Sequence, residues 1–202
     1  MNSKILIVYS TKSGSTIGVA RTILNTLAEQ GVAAEAMTAG KVGSLKGYSA
    51  VILGSPIIMG KVRGDLADFM RRYQDQLRQM PLAMFLTCLR LTVDTDGSDP
   101  GFPVYIDTAL QEKTKLLQEM SFMEKSHTLM HYCNPIMKQL AGTTPRAFAV
   151  FKGALDYRRL DSLSWIFMKF LSLFQTSVRE GDYINHAVVS AWVKKFYLDL
   201  TR

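Results

Sequence analysis

Short, continuous apolar runs alternate along the chain with stretches whose apolar residues recur at helical spacing. Ile5 to Val8 is the first run. Ile17, Ala20, Ile23, Leu24, Leu27 and Ala28 follow it with helical period, and Gly31 is placed to end that helix. Val32 to Met37 predicts a second strand. A polar loop, Lys41 to Tyr48, leads to a third run, Ser49 to Gly54. Leu66, Phe69, Met70, Tyr73 and Leu77 then share one helical face. After Pro81, Leu82 to Leu89 predicts a fourth strand, and Thr92 to Pro103 reads as a loop. Ile106 to Leu140 is mostly helix-compatible, with a break expected at Asn134-Pro135. Arg146 to Leu155 predicts a fifth strand. From Gly181 onward, Ile184, Ala187, Val188 and Ala191 mark a last helix.

The predicted strands are continuously apolar rather than alternating, and helices separate them. This pattern implies a parallel sheet covered on both faces, an α/β doubly wound domain. Residues 1–202 read as one domain, with an inserted segment at about 156–176. Ligands of such sheets bind beyond the carboxyl ends of the strands. Here those ends are Ser10, Gly54 and the neighbourhood of Cys88.

Composition narrows this picture modestly. Hydrophobic residues make up 48% and charged residues 20%, enough apolar material for a proper core. The apolar runs are shorter than the roughly 20 residues that span a bilayer. The N-terminal run does not have the form of a signal peptide. Two cysteines, Cys88 and Cys133, do not form a disulfide framework, so a cytoplasmic, reducing setting is expected. A net charge of +7 suits an anionic partner such as an acidic small molecule or a membrane surface. It fits a generally basic solvated surface equally well. No nucleic-acid recognition motif accompanies the charge, so no nucleic-acid partner is expected.

The densest chemistry lies in the first strand-to-helix turn. Five of the seven residues from Ser10 to Thr16 carry hydroxyls (Ser10, Thr11, Ser13, Ser15 and Thr16), and Lys12 and Gly14 complete the run. Helix-start N–H groups, hydroxyl donors and a glycine that lets the backbone approach a ligand together suit a phosphate group. An ordinary N-cap cluster is the plainer alternative. The turn lacks the Gly-Lys-Ser/Thr ending of a Walker loop and the multiple glycines of a dinucleotide fingerprint. A second loop, Gly54-Ser55-Pro56-Ile57-Ile58-Met59-Gly60-Lys61, is shaped by two glycines and a proline around an apolar centre. A third, Thr87-Cys88-Leu89-Arg90-Leu91-Thr92, would close the opposite side. Cys88 reads as a small buried residue rather than a redox thiol. His127 and His131, with Cys133 nearby, have a spacing that can bind zinc. Without a third well-placed ligand they read as surface or packing histidines, and no metal is expected.

The run Thr11-Lys12-Ser13-Gly14-Ser15-Thr16 resembles the phosphate loop of the flavodoxin family, T-x-S/T-G-x-T/S. The resemblance implies a flavodoxin-like five-stranded parallel sheet, order 2-1-3-4-5, with helices on both faces. It also implies FMN as cofactor, its terminal phosphate in the first loop. Its ring would lie between Ser55, Pro56, Ile57, Ile58, Met59 and Gly60 on one side and Thr87, Cys88 and Leu89 on the other. Met59 stands where many flavodoxins have an aromatic residue.

The segments GSPIIMGKVRGDLADFMRRY, PLAMFLTCL and FKGALDYRRLDSLSWIFMKFLSLF resemble the quinone-dependent protoporphyrinogen oxidase branch of that superfamily. This implies oxidation of protoporphyrinogen IX, or a similar porphyrin-like reductant, with a membrane quinone as acceptor. No general base is assigned. Lys61, Arg63, Arg158 and Arg159 are candidates to attract substrate propionates by charge. Within Asp156 to Thr176, a helix would present Ile166, Phe167, Phe170, Leu171, Leu173 and Phe174 on one wide face, next to basic flanks and Trp165. Such a helix suits peripheral contact through Leu160–Phe174 with the inner face of the cytoplasmic membrane. Packing on its own domain or a dimer contact is the alternative. Two other functions stay open. One is an electron-transfer protein serving a protein partner, against which the basic charge counts. The other is a non-catalytic interaction protein on the same scaffold.

Overall fold

A computed structural model describes residues 4–12, 14–58, 60–93, 99–110, 115–155 and 181–201. β1 (Lys4–Tyr9) is followed by α1 (Ser15–Glu29), β2 (Ala34–Thr38) and β3 (Tyr48–Pro56). Then come α2 (Gly64–Arg72), α3 (Gln74–Arg78), β4 (Leu82–Cys88) and β5 (Val104–Ile106). The chain continues through α4 (Phe122–Lys125), α5 (Leu129–Leu140), β6 (Ala147–Lys152), β7 (Ala154–Leu155), β8 (Gly181–Asp182) and α6 (His186–Thr201). The main sheet is parallel, in the order β2-β1-β3-β4-β6-β5. β7 and β8 form a separate antiparallel ribbon.

The five predicted strands are present in the expected order 2-1-3-4-5, with β6 as the fifth. The sheet has a sixth strand, β5, at its edge beyond β6. Three residues between Pro103 and Asp107 are too short to show a period, so the sequence carried no strand signal there. The buried Asp107 anchors β5. Its carboxylate accepts from the backbone N–H of Ala109 at 3.0 Å and of Lys152 at 3.2 Å.

Burial explains the continuous apolar runs. All seven residues of β4 are buried, as are the four central residues of β1. One face of the sheet packs on α1 and α6 through Val19, Ile23, Leu27, Val189, Trp192, Val193 and Phe196. The other packs on α2, α3 and α5 through Leu66, Phe69, Met70, Leu77, Ile136 and Leu140. Gly31, at φ 71°, ends α1 with backbone bonds Gly31 N–H to Ala28 O and Val32 N–H to Leu27 O, both 2.9 Å.

Three boundaries differ from expectation. The face from Leu66 to Leu77 is carried by two short helices that meet at Tyr73. Arg146 to Leu155 divides into β6 and β7 at Gly153. Ile106 to Leu140 is not broken at Asn134-Pro135, which lie inside α5. Proline removes one helical N–H, while the buried Tyr132, Cys133, Ile136 and Leu140 hold the helix against the sheet on either side of it. The interruptions come earlier, in the short turns and the four-residue α4.

α4 carries a capping box. Ser121 N–H donates to Glu124 Oε2 at 2.8 Å, and Glu124 N–H donates to Ser121 Oγ at 3.3 Å. Lys115 Nζ donates to Glu124 Oε1 at 2.6 Å. This bond and the box hold the Glu124 carboxyl down at about 2, from the usual 4.5. Its stabilising contribution is therefore full above about pH 4.5 and is lost as pH falls from there toward 2. Glu124→Gln should lower stability at pH 7 and flatten that part of the acid limb. Denaturation midpoints measured across pH 2–7 would check this.

Candidate functional site

The parallel register brings the ends of the central strands level. Tyr9 pairs with Gly54, Pro56 with Thr87, and Cys88 with Lys152. The three loops singled out in the sequence therefore leave the sheet side by side at its carboxyl edge. Ser10 N–H donates to Gly54 O at 2.9 Å, and Ile57 N–H donates to Thr87 O at 2.9 Å, tying loop one to loop two and loop two to loop three.

Loop one turns through Gly14, whose φ of 91° is strained for any residue with a side chain. Gly14 N–H donates to Thr11 Oγ1 at 3.1 Å, and Gly14 O accepts from Ile17 and Gly18. α1 then begins with no side-chain cap and no acidic residue in its first turn. α4 and α5, by contrast, are capped by Ser121 and Thr128, and α2 and α3, which also lack a side-chain cap, carry Asp65 and Asp75 in their first turns. An uncapped helix start is electropositive.

The hydroxyls of the loop divide in direction. Ser10 is fully buried and donates to Asp65 Oδ1 at 2.7 Å. Ser15 and Thr16 are buried and meet Thr87: the Oγ–Oγ1 distance is 3.4 Å from Ser15 and the Oγ1–Oγ1 distance is 3.2 Å from Thr16. This hydroxyl cluster joins loop one to loop three beneath the turn. Thr11 and Lys12 lie half-buried at the surface of the turn. Ser13 falls outside the described residues.

Loop two starts later than the sequence suggested, because β3 runs through Gly54, Ser55 and Pro56. Ser55 is buried, and its hydroxyl accepts from Arg63 N–H at 3.1 Å while donating to Pro56 O at 2.9 Å. Ile57, Ile58 and Gly60 are half-buried. Ile58 and Lys61 exchange backbone bonds of 2.9 and 3.1 Å, closing a turn with Gly60 at φ 76°. Met59 lies outside the described residues.

In loop three Thr87 and Cys88 are buried and Leu89 is half-buried. Burial pushes the Cys88 thiol up to about 12, so it stays protonated at neutral pH. Cys133 is likewise buried and pushed up to about 12. His127 precedes α5, with its ring Nδ1 3.1 Å from Ser126 Oγ, whereas His131 is in the first turn of α5. Among the described residues no group of three metal-ligating side chains is gathered.

Two residues, Asp65 and Gly153, escaped the sequence reading, and His131 was read there only as a surface or packing histidine. Asp65, in the first turn of α2, joins loop one to loop two by accepting from Ser10 and from Arg63 Nε at 3.3 Å. Arg63, a candidate for attracting propionates, is thus already partly neutralised, while Lys61 is exposed. Gly153 lies beside the hydroxyl cluster: a Cβ there would make ordinary van der Waals contact, 3.4 Å from Ser15 Oγ and 3.5 Å from Thr87 Cβ. His131 Nε2 would lie 2.7 Å from a Cβ on Gly60. The contacts of Asp65 and His131 join residues 55 and 71 positions apart, respectively, which no local spacing signals. Gly153 could have been found from its place at the end of a strand.

A cavity of about 320 Å³ lies at the opposite, amino edge, lined by Ile5, Val32, Ala33, Pro81, Tyr197 and Leu200 among others. It shares no residue with the three loops. Among the described residues no helix is long and apolar enough to cross a membrane.

A family model described as a flavodoxin domain matches residues 6–180. No curated protein sequence matches the chain. Among solved structures, a variant flavo di-iron protein from Thermotoga maritima aligns over 99% of this chain and 36% of its own, at 11% identity and a TM-score of 0.52. Rubredoxin oxygen:oxidoreductase from Desulfovibrio gigas aligns over 98% of this chain and 37% of its own, at 11% identity and 0.49. A flavodoxin from the domain Archaea aligns over 74% and 84%, at 17% identity and 0.45. The chain spans just over a third of the length of the two oxidoreductases. At these identities the likeness shows the fold alone. The family model spans most of the sheet and all three site loops, and the chain belongs to the flavodoxin-domain family.

Proposed function

We propose that this chain is an FMN-dependent oxidoreductase whose flavin sits at the carboxyl edge of the sheet. The observation that carries the reading is the start of α1: uncapped, free of acidic residues in its first turn, entered through a left-handed glycine and flanked by Thr11 and Lys12. That donor set fits a phosphate monoester. Ser10 to Thr16 would hold the phosphate. Ser55 to Gly60 and Thr87 to Leu89 would wall the ring. Bound FMN would supply reversible two-electron chemistry. The protein would orient the ring, shield it from water, and keep Cys88 protonated beside it.

The finer reading is oxidation of protoporphyrinogen IX or a related porphyrin-like reductant, with electrons passed on to a membrane quinone. Its support is the resemblance of three segments to that branch and a net charge of +7, which suits propionates and anionic lipid. The inserted segment at about 156–176 would provide a peripheral membrane contact on the cytoplasmic side through Leu160–Phe174. The amphipathic pattern of that stretch lies outside the described residues. On either side of it, Leu155 pairs with Gly181 in the β7–β8 ribbon.

Titration of the purified chain with FMN, followed by flavin fluorescence, tests the first reading, and stoichiometric quenching is expected. Anaerobic incubation of the FMN-loaded chain with protoporphyrinogen and a soluble quinone tests the second. Porphyrin should appear only with both chain and quinone present. FMN binding without porphyrin formation would reject that substrate and leave the electron-transfer function.

A further inference from the structure

The stretch Ser126 to Tyr132, at the entry to α5, touches two of the three site loops at once. On loop three, Thr92 N–H donates to His127 O at 2.9 Å, Thr92 bridges to Thr128, and Tyr132 Oη donates to Arg90 O at 3.1 Å. On loop two, the His131 imidazole lies against the tip of the turn. A Cβ on Gly60 would come within 2.7 Å of Nε2 and 3.1 Å of Cδ2, and within 3.8 Å of Ser126 O. The stretch is itself rigidly held. Thr128 Oγ1 accepts from His131 N–H at 3.3 Å and donates to Lys125 O at 3.1 Å, and Tyr132 is buried in the core.

Resting on the FMN reading above, we propose that Ser126–Tyr132 sets the width of the slot between loops two and three. His131 is the positioning residue that spaces the Gly60 turn from α5. The physical reason is how little else among the described residues stiffens that turn. Apart from its two Ile58–Lys61 bonds, loop two is joined to its neighbours through bonds at Gly54, Ser55 and Ile57, at the strand end rather than at the tip. A side chain seated on a glycine leaves that tip no room to collapse toward α5. His131 is otherwise exposed, apart from an edge-on approach of its ring to Tyr132 with centroids 6.3 Å apart, so its loss removes no buried side chain from the core.

The 202-residue chain tests this in two independent ways. In the FMN-free protein, His131→Ala should speed hydrogen exchange at the Ile58 and Lys61 amides about tenfold, with the melting temperature unchanged to about 2 °C. FMN affinity should fall about tenfold in the same variant. His131→Gln, which can place an amide nitrogen near the position of Nε2, should restore both to within about twofold. Unchanged exchange and affinity in His131→Ala would overturn the proposal. So would losses that merely track a lower melting temperature and are not rescued by glutamine. If the unaltered chain bound no FMN, the cofactor reading would fall, and the exchange measurement would still decide whether His131 holds the turn.

Discussion

Gly54→Ala should destabilise the chain by about 3 kcal/mol, lowering its melting temperature by about 6–12 °C. Gly54 is inside β3, between the fully buried Leu53 and Ser55. A Cβ built there would lie 2.1 Å from Cζ, 2.5 Å from Cε1 and 2.8 Å from Cε2 of Phe85 on the neighbouring strand. The Phe85 ring rests directly on the glycine backbone. It has no room to swing away, because it is itself fully buried and packs against Phe151 with centroids 6.3 Å apart. The cost is overpacking in a close-packed interior, not backbone strain, since Gly54 has no positive φ. Gly54→Ala combined with Phe85→Leu should recover a substantial part of the loss by vacating ring volume. Thermal denaturation of the single and double variants measures this coupling. A fully stable single variant would mean that the ring does not sit on Gly54. Because Gly54 O also accepts from Ser10 N–H, the single variant should loosen the phosphate loop as well.

Thr11→Asp should move two quantities in opposite directions. Thr11 Oγ1 accepts from Gly14 N–H at 3.1 Å, a bond that an aspartate oxygen can also accept. The added negative charge faces the electropositive start of α1, which has no acidic residue in its first turn. Apo-protein stability should therefore rise by about 0.5 kcal/mol. A phosphate bound at the same turn would meet a like charge a few ångströms away. Repulsion of about 3 kcal/mol should then weaken FMN binding roughly a hundredfold. Thr11→Asn, similar in shape and uncharged, should change neither by much. Isothermal titration with FMN, together with melting of the FMN-free variants, separates the outcomes. A misfolded variant would lose both stability and affinity. An aspartate variant that kept full affinity would place the phosphate elsewhere and remove the foundation of the proposed function.

These two experiments probe features of different legibility. The hydroxyl-rich turn stood out in the sequence because it is local: an apolar run, five hydroxyls in seven residues and a helical period follow one another directly. The family match spans residues 6–180, and FMN is the cofactor that the resemblance implied. The space above Gly54 was not readable. The sequence assigned that glycine to the shape of a loop, whereas the register Gly54↔Phe85 makes it the seat of a ring. Asp65 was likewise silent, because its carboxylate matters only once β1 and β3 bring Ser10 beside it.

By itself, the sequence determined the α/β class, the order of the five principal strands, the two helical layers and the location of the candidate site. The strand order came from the resemblance to the flavodoxin family; the others follow from hydrophobic period and from turn chemistry within a few residues, which are local properties of a chain. Tertiary structure alone decided the sixth strand, since three residues at an edge gain their pairing only from β6. It decided that α5 runs through Pro135, because a buried face can hold a helix across one missing hydrogen bond. It also decided which hydroxyls turn inward to Thr87 and which lie at the surface of the turn, and it placed His131 on Gly60. Those facts depend on distances between residues far apart in the chain, which are fixed only when the sheet closes its register and the core excludes every other packing.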